Sequence, residues 1–182
     1  MTLDQLRKLF PIGHRAGRVD SAFPWLSAAM VEFQITGCKR ESQFLATIAH
    51  ESAELRYVRE IHDGSNYEGR KDLGNTSPGD GKRYPGRGYI QVTGKRNAEA
   101  CGKYLGVDFV AHPEMMEQPE YASRVSGWFW MANNLNRYAD AMNFAAVCGV
   151  VNCGRADVPT TRINGWADRF GYYIRAKEIL KC

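Results

Sequence analysis

The stretch Phe44-Leu45-Ala46-Thr47-Ile48-Ala49-His50-Glu51-Ser52 sets a carboxylate on what should be the greasy side of a helix. At about 100° per residue, Phe44, Ile48 and Leu55 fall within about 40° of one another, with Leu45, Ala49 and Ser52 beside them. Glu51 lies roughly 20° to the far side of Phe44 and shares that face, whereas Gln43, His50 and Glu54 point the other way. A carboxyl that looks into a core or a cleft wall resists ionisation, because desolvation disfavours the charged form. Such a group is fit to donate a proton near neutral pH. The plainer alternative is a helix-edge glutamate paired with an arginine.

A chain of 182 residues is long enough for one domain with a real core, residues 1–182, in which about 105–150 could form a helical sub-lobe. Hydrophobic content of 44% and charged content of 24% are ordinary for a globular protein. The net charge of +4 is dispersed, with no basic run, which argues against nucleic acid and suits mild attraction to an anionic polymer. No segment approaches the roughly 18 apolar residues that stable membrane insertion requires. Arg7 and Lys8 are followed by Phe10-Pro11-Ile12-Gly13-His14-Arg15, which is no secretory leader, so the chain is expected to be made in the cytoplasm. Five irregularly spaced cysteines (38, 101, 148, 153 and 182) argue against a disulfide framework and for reduced structural thiols. Position 54 is Glu, so His50-Glu51 lacks the second histidine of a zinc helix, and no metal or organic cofactor is expected.

Apolar spacing predicts helices over 3–9, from Asp20 or Ser21 to about Ile35, and from Arg40 to about Tyr57. Asp63-Gly64, Gly74-Asn75, Pro78-Gly79-Asp80-Gly81 and Pro85-Gly86 are turn chemistry, and Tyr89–Thr93 reads as a short strand. Further helices are expected over about 95–105, 119–135, 138–150 and 166–180, with Trp128, Phe129 and Trp130 in the core. The fold class is therefore mainly α, interrupted by one small Gly-rich loop and short β region. Such loops on a rigid helical scaffold usually build a site.

Four segments read together are more specific than any alone: His50-Glu51-Ser52, Arg59-Glu60-Ile61, Gly86-Arg87-Gly88-Tyr89-Ile90-Gln91-Val92-Thr93-Gly94, and Asn152-Cys153-Gly154 with Asn164 to Arg169. From about residue 20 to 180 the chain resembles the family 19 glycoside hydrolases, the chitinase-like group of the lysozyme superfamily, in the compact form typical of bacteriophage endolysins. The resemblance implies a lysozyme-like helical fold with a cleft between two lobes. It places the general acid at Glu51 and matches the strand motif to Gln91 and Thr93, with Asn97 following. The late Asn-Gly element corresponds to Asn152, and the Asp-Arg helix start to Asp168-Arg169. Two departures stand out. Ala53-Glu54 replace the family's frequent Gly-Gly, and the second carboxylate falls nearest to Glu60, with Glu68 as the fallback.

Hydrolysis of a β-linked amino sugar needs an acid for the leaving oxygen and a carboxylate across the ring. The resemblance implies inversion, in which that carboxylate activates a water. On an unbroken helix, nine residues would set Glu51 and Glu60 about 180° apart, so the helix is expected to end near Tyr57 or Val58 and turn. Thr93 offers a hydroxyl for the attacking water, while Gln91, Asn97 and Asn152 offer neutral donors and acceptors for the sugar. Arg87 and Arg169 could pin the carboxylates or form structural ion pairs, Arg169 could also bind substrate, and Tyr84 and Tyr89 could stack on sugar faces. The compact form implies peptidoglycan glycan strands as the substrate, release by a membrane-hole-forming holin, host lysis and a monomer. Chitin is the alternative polymer, and a non-catalytic carbohydrate-binding relative is the alternative class.

Overall fold

A computed structural model describes all residues 1–182. The opening stretch is a helix there, and the last four helices of the chain pack against it. α1 (Leu3–Leu9), α2 (Pro11–Arg15) and α3 (Arg18–Glu32) precede α4 (Cys38–Glu51). After the loop region, which holds only α5 (Asp80–Arg83) and two 3-10 turns, come α6 (Lys95–Leu105), α7 (Pro119–Ala132) and α8 (Leu135–Asp140). The chain ends with α9 (Phe144–Cys153) and α10 (Trp166–Leu180). Pro11 does more than stop α1: it opens α2, because its missing N–H is no loss in a first turn. The single helix expected over 138–150 is two, α8 and α9, broken where Met142 takes a left-handed conformation.

α4 is buried on nearly every side. Phe44, Leu45, Ile48 and Ala49 are inward, and Phe44 meets Trp130 of α7 edge to face at 5.2 Å between ring centres. Gln43 is not solvent-facing as its position on the wheel suggested. It is fully buried, and its Nε2 donates to the Ala139 carbonyl at 3.0 Å, tying α4 to α8. One contiguous core of 36 buried residues runs from Leu6 to Ala176 and takes in Phe109, Met116, Trp130 and Phe144, so the 105–150 region shares it. No helix is long and apolar enough to cross a membrane.

Two further expectations are corrected. α4 stops at Glu51, well short of Tyr57, because the buried Ser52 rebuilds the backbone bonding there. Its hydroxyl donates to the Ile48 carbonyl at 2.6 Å and accepts the Leu55 N–H at 2.8 Å. Ala53, Glu54 and Leu55 then take left-handed conformations (φ 46°, 55° and 66°), each costing about 1–2 kcal/mol for a residue with a Cβ. Glu54 supplies compensation. It is 1% exposed and accepts the Ile12 and Gly13 N–H groups at 2.6 and 2.9 Å and the Tyr172 hydroxyl at 3.1 Å, bolting the turn to α2 and α10. The second correction concerns residues 89–93, which form no strand. Gln91 is left-handed (φ 59°), and only isolated antiparallel bridges join Arg59 to Arg87 and Arg87 to Val92.

Candidate active site

Glu51 ends α4, and the start of α10 holds it. Its Oε1 is 2.5 Å from Nη1 of Arg169, whose own Nε donates to the Asn164 carbonyl at 2.9 Å. Arg169 is 2% exposed, so the guanidinium is fixed from both sides. The Glu51 side chain keeps 17% of its surface, and Oε2 has no protein partner. One residue earlier, His50 Nδ1 lies 2.6 Å from Asp168 Oδ2. Gly165 makes the close approach possible: a Cβ there would sit 2.4 Å from His50 Cε1, and its φ of +68° favours glycine. Both readings of the opening stretch thus hold in part. Glu51 borders the core, and it is paired with an arginine.

Glu60 is brought round by the left-handed turn and by pairing with the Gly-rich loop. Its N–H donates to the Gly86 carbonyl at 2.9 Å, and Gly88 N–H donates to the Val58 carbonyl at 2.9 Å. Its Oε1 accepts the Tyr67 hydroxyl at 2.8 Å and its Oε2 the Gly86 N–H at 3.1 Å, the acceptor pattern of a carboxylate. Burial and the neighbouring Glu60 push the Tyr67 hydroxyl up to about 12, so it stays a donor through the neutral range. That hydroxyl also sits beside the Thr93 hydroxyl, which is 3.0 Å from the Gln91 carbonyl. Glu60, Tyr67 and Thr93 therefore form one cluster. Glu68 belongs to another turn, where it accepts the Gly79 and Gly81 N–H groups at 2.6 and 2.8 Å.

Comparison with known proteins shows the family. The family model described as chitinase class I, glycoside hydrolase family 19, matches residues 36–169, from just before α4 to Arg169. The chain belongs to that family. Two endochitinases of Arabidopsis thaliana are 32% and 36% identical to it, over 81% and 76% of this chain and 53% and 47% of their own. The chain spans about half the length of the curated relatives it matches. Chitinase C from Streptomyces griseus superposes with a TM-score of 0.76 at 22% identity, covering 99% of this chain and 92% of that one, which shows a shared fold.

Against the family motifs, several side chains take parts the sequence did not reveal. Tyr84 and Tyr89 are each 3% exposed and offer no ring face to a sugar. Tyr84 instead donates to the Val110 carbonyl at 3.0 Å. Arg169 is too buried to bind substrate and serves Glu51, while Arg87 pairs with Glu117 at 2.8 Å rather than with either site carboxylate. Gln91 ties the loop, giving its Nε2 to the Tyr57 and Gly88 carbonyls at 3.2 and 2.9 Å, with Oε1 buried and unpartnered. Asn97 Nδ2 donates to the Thr93 carbonyl at 2.8 Å, and its Oδ1 has no protein partner. Asn152 is exposed, and its Oδ1 accepts the Asn164 N–H at 2.9 Å, steadying the loop that orients Arg169. Nothing in the local sequence marks the contact of Tyr67 with Glu60 or of Asn164 with Arg169. No three His, Cys, Asp or Glu side chains converge to hold a metal ion. Five cavities are lined by neither Glu51 nor Glu60; one of about 420 Å³ opens between the ends of α3, α7 and α8.

Proposed function

We propose that the chain is a glycosidase that hydrolyses β-1,4 bonds between N-acetylated amino sugars with inversion, with Glu51 as the acid and Glu60 as the base. The observation that carries this is the unlike bonding of the two carboxyls. Glu51 keeps one oxygen free beside a fixed arginine, whereas both oxygens of Glu60 accept hydrogen bonds beside the Thr93 hydroxyl. In the proposed reaction the glycan lies in an open groove between them. Glu60 takes a proton from a water held by Thr93, and the water oxygen bonds to the anomeric carbon. The glycosidic C–O bond breaks as Glu51 Oε2 gives its proton to the leaving oxygen. Glu51 gains negative charge in that step, and Arg169, already in place, stabilises it without reorganising. Inversion requires the carboxyl groups to stand roughly 6.5–9.5 Å apart, with room for the water. Asn97 Oδ1 and Asn152 Nδ2 are the neutral groups proposed to read the N-acetyl and hydroxyl substituents.

The names of the relatives support a polymer of N-acetylglucosamine over the peptidoglycan implied by the compact form. Peptidoglycan presents the same bond with a lactyl-peptide branch, and an endolysin role is the finer reading that rests on it. Mass analysis of products from N-acetylglucosamine hexamers and from purified sacculi separates the two. Shortened oligomers with intact sacculi support the first polymer, and muropeptides with untouched hexamers support the second. Anhydro-sugar ends or no cleavage of either would overturn the hydrolase reading.

A further inference from the structure

α4 and α10 run antiparallel, and two ion pairs at one end set their register: His50 with Asp168 and Glu51 with Arg169. Cys38 lies thirteen residues back from Glu51, and Cys182 lies thirteen residues on from Arg169. At about 1.5 Å per helical residue the step along α4 covers about 20 Å and the step from Arg169 to Leu180, where α10 ends, about 17 Å, so the register brings Cys38 and the end of α10 level at the far end. The chain does not trail away there. Lys181 is left-handed (φ 58°), and Cys182 N–H folds back onto the Lys177 carbonyl at 3.0 Å. The Cys182 thiol then lies beside Cys38 and Ser42 of α4. Cys101 and Cys148 are buried, and Cys153 faces the Asn152 side chain and the Arg162 carbonyl.

We propose that Cys38 and Cys182 form a reversible disulfide by exchange with a low-molecular-weight disulfide such as glutathione disulfide. The exposed Cys182 thiolate attacks one glutathione sulfur and breaks the glutathione S–S bond. The first glutathione leaves and takes up the proton that Cys182 lost. The Cys38 thiolate then attacks the Cys182 sulfur, closing the protein S–S bond and expelling the second glutathione, which takes the Cys38 proton. Two protein thiols are oxidised, and one disulfide is reduced to two thiols. The link staples the far end of the helix pair whose near end holds Glu51, and it constrains a long segment of unfolded chain.

The test uses the full chain, equilibrated with glutathione disulfide, alkylated under denaturing conditions and mapped by mass spectrometry. Alkylatable thiols are expected to fall from the five of the reduced chain to three, with a peptide linking Cys38 to Cys182. The Tm is expected to rise by about 5 °C or more and to return on reduction. Cys182→Ser and Cys38→Ser should lose the linked peptide and the Tm rise while keeping wild-type hydrolysis. Five alkylatable thiols after oxidation would overturn the proposal. So would glutathione retained on Cys182 without closure, or a link through Cys153 or between two chains.

Discussion

Arg169 illustrates how a residue can matter to a site without facing the substrate. It is buried, its charge is spent on Glu51, and its orientation comes from the Asn164 carbonyl. Arg169→Ala should therefore cost about 3 kcal/mol of stability, since it leaves the Glu51 carboxyl oxygen and the Asn164 carbonyl without their buried donor, and urea unfolding measures it. An unchanged midpoint would mean the pair is idle. Tyr67 acts on Glu60 in a comparable way, through a single hydrogen bond of 2.8 Å. Tyr67→Phe removes that bond and keeps the ring, so kcat should fall about tenfold with KM little changed, as for a loss of about 1.4 kcal/mol in the transition state. A rise in KM at constant kcat would instead make Tyr67 a substrate contact. Glu51 and Arg169 were both visible in the sequence because each belongs to a short motif. Tyr67 belongs to no such motif, because its role depends on a loop closure that no local pattern encodes.

The element that organises the site is the antiparallel pair of α4 and α10, pinned where α10 begins. Gly165 is the tightest point of that contact, with His50 in the space a Cβ would fill and a left-handed φ besides. Gly165→Ala should destabilise the fold by about 1–3 kcal/mol and lower activity by displacing His50 and Glu51. A variant of unchanged Tm and activity would contradict the clamp. α10 was legible from end to end, since Trp166 to Leu180 carries regular apolar spacing and nothing interrupts it. The end of α4 was not. Leu55, Arg56 and Tyr57 continue a helical pattern, and what stops the helix is partly local, the Ser52 hydroxyl that takes the Leu55 N–H, and partly tertiary, a Glu54 carboxylate bonded to the backbone of α2. The nine-residue spacing did require a break before Glu60, and the break comes directly after Glu51. The strand expected at 89–93 failed because β-rich composition cannot anticipate the left-handed Gln91.

At the scale of the molecule, apolar periodicity was enough to foresee a mainly helical fold. The loop packing that buries Tyr84 and Tyr89 was beyond it, because aromatic residues in glycine-rich loops read alike whether they anchor or bind. That packing has a consequence for pH. Burial pushes Tyr89 and Tyr67 up to about 12 from an ordinary 10.0, and the Cys101 and Cys148 thiols up to about 12 from 9.0. The unfolded chain releases these protons at lower pH than the fold does, so unfolding releases protons and rising pH favours it. Their stabilisation is whole below the ordinary values and is lost as pH climbs towards the folded ones. The urea midpoint should thus be lower at about pH 10.5 than at about pH 8, and equal midpoints would contradict the burial of these groups. The chemistry itself is tested most directly by following reducing-end release from N-acetylglucosamine hexamers and from sacculi with the wild type and Glu51→Gln side by side. The account predicts that the variant keeps the wild-type Tm within a few degrees and loses about 10²–10⁴ in kcat on whichever polymer is cut. Equal rates from the two proteins would contradict it.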